Sequence, residues 1–227
     1  MAKAKNASSK QSHTAKSEWI DISLPIRDNM VQGPMEPLTP HIEFVLHRNK
    51  GNKVAMYQIS INSHNGTHID SPYHFVERGE TIDKMPLDTM MGPARVIETK
   101  DPVSIKPEEL ATYAIQPGER ILFKTRNSSR PERYKKFFKD SVYLSLEGAE
   151  YLVKKKISVV GIDYISIGGG GLANIDKTHI ILLDKGIYII EDLDLSQVKA
   201  GRYEMICLPL KIEGGDASPV RAILRPI

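Results

Sequence analysis

The segment "HNGTHIDSPYHF", residues 64–75, decides how this chain is read. It holds three of the chain's seven histidines, with Asp70 between the last two. Neutral imidazoles and a carboxylate are the donors that borderline divalent cations prefer. His64 and His68 stand four apart, a spacing that would share one face of a helix. Gly66 between them, the β-branched Thr67 and Ile69, and Pro72 beyond all oppose a helix. Full extension does not serve either, because four residues then span roughly 13–14 Å. Two imidazole nitrogens on one cation must each come within about 2.0–2.1 Å of it. The backbone must therefore bend, and Gly66 can take a positive φ without a Cβ clash. The segment reads as a strand whose polar face ends at His64, a bulge at Asn65-Gly66, and a ligand-bearing loop in which Pro72 fixes where His74 points.

Outward from the motif, the chain reads as many short strands with a few helices. Upstream, "VAMYQISINSH" (54–64) alternates, with Ala55, Tyr57, Ile59 and Ile61 on one face and Met56, Gln58, Ser60, Asn62 and His64 on the other. Ser60 or Asn62 could accept the second N–H of a ligating imidazole. "WIDISLPI" (19–26) and "HIEFVLH" (41–47) are strand-like, and prolines make 29–40 a loop. Downstream, strands are expected over 92–99, 119–125, 157–167, 187–193 and 202–212, with a last one closing the chain. Helices are expected at 107–114, at 145–156 with Ser145 as N-cap, and at 178–186. Four glycines at 168–171 imply a mobile loop; a phosphate cradle is the rival reading, but no Gly-Lys-Ser/Thr follows. The pattern is a mixed, β-rich α/β domain over 18–227, preceded by a flexible tail at 1–17.

Composition narrows the class. The chain has 227 residues, 41% hydrophobic and 26% charged, enough to bury a core without disulfides. One cysteine, Cys207, rules out an intrachain disulfide and a four-thiolate zinc site, and a cytoplasmic setting follows as the expectation. No apolar run approaches the roughly 20 residues of a membrane span, and the basic N-terminus lacks the apolar core of a secretory signal. The net charge of +3 is weak. The stretch "RNSSRPERYKKFFKD" (126–140) interleaves bases with aromatics, but a solvated loop explains it without nucleic acid. A cation held by His64, His68 and Asp70 needs further donors. His179 and Glu191 are candidates because both lie in apolar stretches; Glu191 could equally end its strand facing water beside Asp192 and Asp194.

At these residues the sequence resembles the cyclase-like metal-dependent hydrolase family, which includes bacterial kynurenine formamidases and isatin hydrolases. The family pattern H-x-G-T-H-x-D-x-P-x-H-F is met at every fixed position of 64–75. The resemblance continues through "VVGIDYISI" (159–167), "HIILLDKGIYIIEDLDL" (179–195) and "LPLKIEGGDASPVRAIL" (208–224). It implies a swivelling β/β/α fold, assembled as a homodimer or homotetramer. It implies that His64, His68 and Asp70 are metal ligands, with Asp70 bridging to a second ion completed by His179 and Glu191. Zinc and manganese both suit such donors. His74 matches the proton-transferring histidine, and Gln32 and Ser166 fall at substrate-facing positions. Gln32 stands near where formamidases carry a substrate-stacking aromatic, with Glu36 near the position of an acid. The implied activity is hydrolysis of a small amide, lactam or lactone by metal-activated water. The alternatives are a non-hydrolytic cyclase or dehydratase, or a metabolite-binding protein on the same scaffold.

Overall fold

The computed structural model describes residues 18–34 and 38–227; the stretch 1–17 expected as a tail, and Glu36, lie outside them. The strands are β1 (Ile20–Asp21), β2 (His41–Leu46), β3 (Met56–Ser60), β4 (His68–Asp70), β5 (Met91–Glu98), β6 (Ser104–Ile105), β7 (Arg120–Lys124), β8 (Tyr143–Leu144), β9 (Val159–Ile162), β10 (Tyr188–Glu191), β11 (Gly201–Pro209) and β12 (Ala217–Pro226). The α-helices are α1 (Pro107–Leu110), α2 (Leu146–Lys155) and α3 (Leu172–Leu183).

Eight strands join in the order β1-β12-β11-β5-β7-β9-β10-β4, and a further β12–β4 pairing closes the sheet on itself. Closure depends on the length of β12. One edge pairs with β11 over 220–226; the other pairs with β4 at 217–219 and with β1 at 223–224. The result is the mixed, strand-rich α/β architecture that the alternating patterns imply.

Period-2 alternation divides the core in two. Leu122, Val159, Tyr188, Ile190 and Ile69 belong to the apolar cluster on the face the ring encloses. Their neighbours Ile121, Phe123, Val160 and Ile189 join Ala149 and Leu152 of α2 and Leu182 and Leu183 of α3 on the other face. Both faces of these central strands are thus buried, which is why they read as continuous apolar runs.

Local signals hold at α2, where the Ser145 hydroxyl accepts the Gly148 N–H at 3.0 Å and Lys154 and Lys155 occupy the last turn. α3 differs from expectation: it starts at Leu172, six residues early, directly after Gly171. Of the glycine run before it, Gly168 and Gly169 are closely packed, while Gly170 and Gly171 are exposed. A Cβ on Gly168 would come within 2.7 Å of Ile175 Cα, and one on Gly169 within 2.4 Å of Tyr143 Cγ.

The basic stretch 126–140 forms two 3₁₀ turns whose arginines bind the chain itself. Arg126 donates to the carbonyls of Pro102 and Asp140. Arg130 pairs with Glu132 and Asp140 and lies 3.7 Å over the Phe138 ring. The buried Arg133 donates to the Leu193 carbonyl at 2.8 Å. β2 and β3 form a separate hairpin that pairs with no strand of the ring. Every residue of β3 is exposed.

Candidate metal centre

β4 lies between β10 and β12, with His68 opposite Glu191 and Pro219, and Asp70 opposite Ile189 and Ala217. Ile69 points into the enclosed cluster, so alternation turns His68 and Asp70 to the opposite face. Glu191 shares that face, one residue beyond Ile190, and α3 covers it with His179. Glu191 is 4% exposed, so it does not face water at a strand end.

His64 arrives by a turn and not from a strand. β3 stops at Ser60, and residues 61–67 loop back so that the His64 and His68 rings lie 5.0 Å apart. Gly66 has the positive φ the turn requires, +72°. Thr67 anchors the return: its hydroxyl donates to the Asp192 carbonyl at 2.7 Å and accepts the Leu24 N–H at 2.8 Å. Beyond β4, Pro72 opens a 3₁₀ turn, Pro72–His74, whose Tyr73 N–H reaches the Glu80 carbonyl at 3.1 Å. That turn sets His74 against His64, ring centroids 4.2 Å apart.

Backbone carbonyls fix two imidazoles. His68 Nδ1 lies 2.9 Å from the Gly66 carbonyl, and His179 Nδ1 lies 2.8 Å from that of Ile175. A carbonyl can only accept, so both Nδ1 atoms carry hydrogen and both Nε2 atoms are free to face the carboxylates. His68 Nε2 stands 3.3 Å from Asp70 Oδ1 and 3.5 Å from Glu191 Oε2; His179 Nε2 stands 3.1 Å from Glu191 Oε1 and 3.8 Å from Asp70 Oδ2. Ring N–H groups satisfied by carbonyls are the usual support of metal-bound histidines. They take the place expected of Ser60 or Asn62; Asn62 instead accepts the His64 backbone N–H at 2.8 Å.

Among the described residues, His68 Nε2 and both Asp70 carboxylate oxygens are buried without a hydrogen-bond partner. His64 Nδ1 approaches Asp70 Oδ1 at 3.0 Å, off the hydrogen-bonding direction. Buried polar atoms are rarely left so, and lone pairs converging on a carboxylate repel unless a cation lies between them. The donors fit a divalent metal. Asp70 turns Oδ1 toward His64 and His68 and Oδ2 toward His179, so two ligand groups, His64/His68/Asp70 and Asp70/His179/Glu191, share its carboxylate. Glu191 is fixed by the Ile167 N–H, 2.6 Å from Oε1.

Asp216 is the site residue that sequence reading missed. It lies in the turn before β12, and Oδ2 is 2.9 Å from His64 Nε2 and 3.3 Å from His74 Nδ1. Its only signal was its place in "EGGDASP", within a stretch already matched to the family. Gln32 Oε1 accepts from Asn65 Nδ2 at 3.4 Å, beside the motif. The Ser166 hydroxyl is buried without a hydrogen-bond partner, one residue from the N–H that binds Glu191.

The electrostatics give a pH dependence. Burial opposes charge on His64, yet pairing with Asp216 and Asp70 carries its pKa up to about 10. Burial likewise opposes charge on His179, and Glu191 carries it up to about 9. Asp216 is held well below the usual carboxylate range by His64 and then His74. Without a cation, both histidines are therefore protonated at neutral pH and must lose their protons to bind one. Metal uptake should release protons, and affinity should rise from pH 6 to 8 by up to about tenfold per unit for each proton displaced. Calorimetry in buffers of different ionisation enthalpy measures the release; an affinity flat across that range would contradict it.

Comparison with known proteins agrees with this geometry. The cyclase family model matches residues 20–168. A kynurenine formamidase of Bacillus cereus is 33% identical over 212 residues, covering 93% of this chain and 99% of that protein. A solved structure described as a "potential metal-dependent hydrolase with cyclase activity" superposes with a TM-score of 0.78 at 32% identity, covering 91% of this chain and 96% of that one. Isatin hydrolase A from Labrenzia aggregata superposes with a TM-score of 0.80 over 92% of this chain and 93% of its own; at 22% identity it speaks to the fold alone. With the motif complete, the donors convergent and the likeness running through nearly the whole length, the chain belongs to the cyclase family of metal-dependent hydrolases.

Proposed function

We infer that the protein is a metal-dependent hydrolase of a C–N amide bond in a small molecule, cyclic or linear. One observation carries this: buried, unpartnered His68 Nε2 and Asp70 oxygens converge with His64, His179 and Glu191 beside a partly exposed histidine, His74. The kynurenine formamidase relative, matched along its whole length, supports the amide class. We propose that His64, His68 and Asp70 hold one ion and that Asp70, His179 and Glu191 can hold a second, with zinc or manganese as the metal. A cation there supplies Lewis acidity toward the amide carbonyl and toward water.

The chain's own groups do the rest. Asp216 occupies His74 Nδ1, so Nε2 is the nitrogen that takes a proton from water and returns it to the leaving nitrogen. The rings of Phe75 and His179 stack 4.9 Å apart beside it, and Phe75 packs edge-on to His74 at 4.5 Å. Gln32 and Ser166 are proposed to face the substrate, supported by the Gln32 contact to Asn65 next to His64 and by the place of Ser166 next to Ile167, whose N–H binds Glu191. Elemental analysis of the purified protein, with a screen of N-formyl amines, lactams and lactones, tests the reading. Bound zinc or manganese and hydrolysis of one of these classes are expected; full activity after exhaustive chelation would overturn it. The cyclase description attached to the 32%-identical structure favours ring closure as second reading, and identifying the product separates the two.

The partners we propose are this small molecule and further copies of the chain, as a homodimer or homotetramer in the cytoplasm, with neither nucleic acid nor membrane. The lone, buried Cys207 supports the compartment. No helix among the described residues is long and apolar enough to cross a membrane. The hairpin supports self-association: Val45, Met56, Tyr57 and Ile59 are each more than half exposed, an apolar surface unusual on a lone chain. Tyr57→Glu combined with Ile59→Lys should shift the oligomer to monomer in light-scattering chromatography. An unchanged mass would remove the hairpin from the interface.

A further inference from the structure

One carboxylate reaches both ends of the histidine motif. Asp216 Oδ2 lies 2.9 Å from His64 Nε2 and 3.3 Å from His74 Nδ1, while Oδ1 accepts the Ser63 hydroxyl at 3.0 Å. Its backbone is held separately. The Asp216 carbonyl accepts the Ser71 N–H at 2.9 Å and the Ser71 hydroxyl at 2.8 Å, and the next residue, Ala217, pairs with Asp70. The side chain is therefore anchored to β4, between the two histidines it meets.

We propose that Asp216 is a positioning residue that sets the orientation and tautomer of His64 and His74 together, coupling the metal ligand to the proton carrier through a single oxygen. This rests on the functional reading above. An ionised carboxylate only accepts, so each ring nitrogen facing Oδ2 bears the hydrogen. Once His64 gives up its proton to bind a cation, it is left with an Nδ1 lone pair, on the atom 3.0 Å from Asp70 Oδ1, and His74 offers its Nε2. A support to a bound histidine usually serves that ligand alone. Here the same support also fixes the neighbouring ring, whose centroid is 4.2 Å away. Neither histidine can turn without giving up its share of the oxygen.

The test uses Asp216→Asn and Asp216→Ala in the zinc-loaded protein with ¹⁵N-labelled histidine. Asn keeps the size of the side chain, and neither change touches the backbone bonds to Ser71. Three readings are taken: zinc per chain, kcat and KM on the amide the unaltered protein hydrolyses, and the ring-nitrogen tautomers by NMR. For Asp216→Asn the expected result is full zinc occupancy, KM within about threefold, kcat down roughly 10–100-fold, and loss of the Nδ1–H form of His74. Asp216→Ala should show the same loss of tautomer preference, so a folding defect confined to one variant does not hide the effect. Unchanged tautomers, kcat within about threefold of the original, or activity falling only as zinc falls would each overturn the proposal. If the unaltered protein binds no metal and cleaves no amide, the functional reading fails instead, and the Nδ1–H form of His74, set by its 3.3 Å contact to Asp216 Oδ2, decides on Asp216 alone.

Discussion

Asp70→Ala should leave a folded protein without metal and without turnover. The two ligand groups share this one carboxylate, whose Oδ1 faces the His64/His68 side and whose Oδ2 faces His179. Its removal takes an anion from both groups, so the loss in metal affinity should exceed the roughly 10–100-fold that an outlying support costs. Asp70 is wholly buried, and its carboxyl is held well below the usual range: burial works against the charge, and the histidines, His68 foremost, outweigh it. Deleting one partner of such a buried pair costs about 3–5 kcal/mol, so a lower melting temperature should accompany the metal loss. The closed ring and its two apolar clusters supply the remaining stability. Metal content by mass spectrometry and a thermal melt decide the matter. Near-stoichiometric metal in Asp70→Ala would remove the bridging role.

His74→Ala should do the opposite: keep the metal and lose the reaction. His74 meets Asp216 and the His64 ring, and it lies outside the two groups built on Asp70. A positioned proton carrier contributes about 10²–10⁴-fold, and kcat should fall by that factor. KM should move little, since the carbonyl-binding atoms stay in place. His64, His74 and Asp216 could themselves form a cation site, so the variant also separates the two roles. Loss of metal in His74→Ala would make it a ligand and leave the proton transfer to another group.

The parts of this molecule that were legible in sequence are those governed by near neighbours. Ser145 caps α2 because its hydroxyl reaches an N–H three residues on, and the runs at β9 and β10 read as strands because both their faces are apolar. His64, His68, Asp70 and His74 stand in one turn-strand-turn segment, so composition and spacing sufficed to single them out. His179 and Glu191 were candidates from their apolar surroundings, and the family resemblance tied them to the centre, since nothing in spacing reveals that a helix carries one across the strand bearing the other. Asp216 escaped because its meaning is tertiary: the 2.9 Å contact to His64 joins residues 152 apart. The start of α3 escaped because glycines that normally break structure here pack against Ile175 and Tyr143. The end of β3 was misplaced because alternation persists in the partly buried residues 61–64, where the ladder has already stopped.

The double engagement of β12 makes this a late-maturing centre. β4 has only three residues, too few to stand alone, and is gripped by β10 on one edge and β12 on the other. The Ser71–Asp216 clasp beside it spans 145 positions of chain. Contacts of such separation form slowly, because the loop they close must be ordered before they repay it. The β12 edge of β4, with the Asp216 contact to His64 and His74 beside it, is therefore expected to be among the last parts of the centre to order during folding.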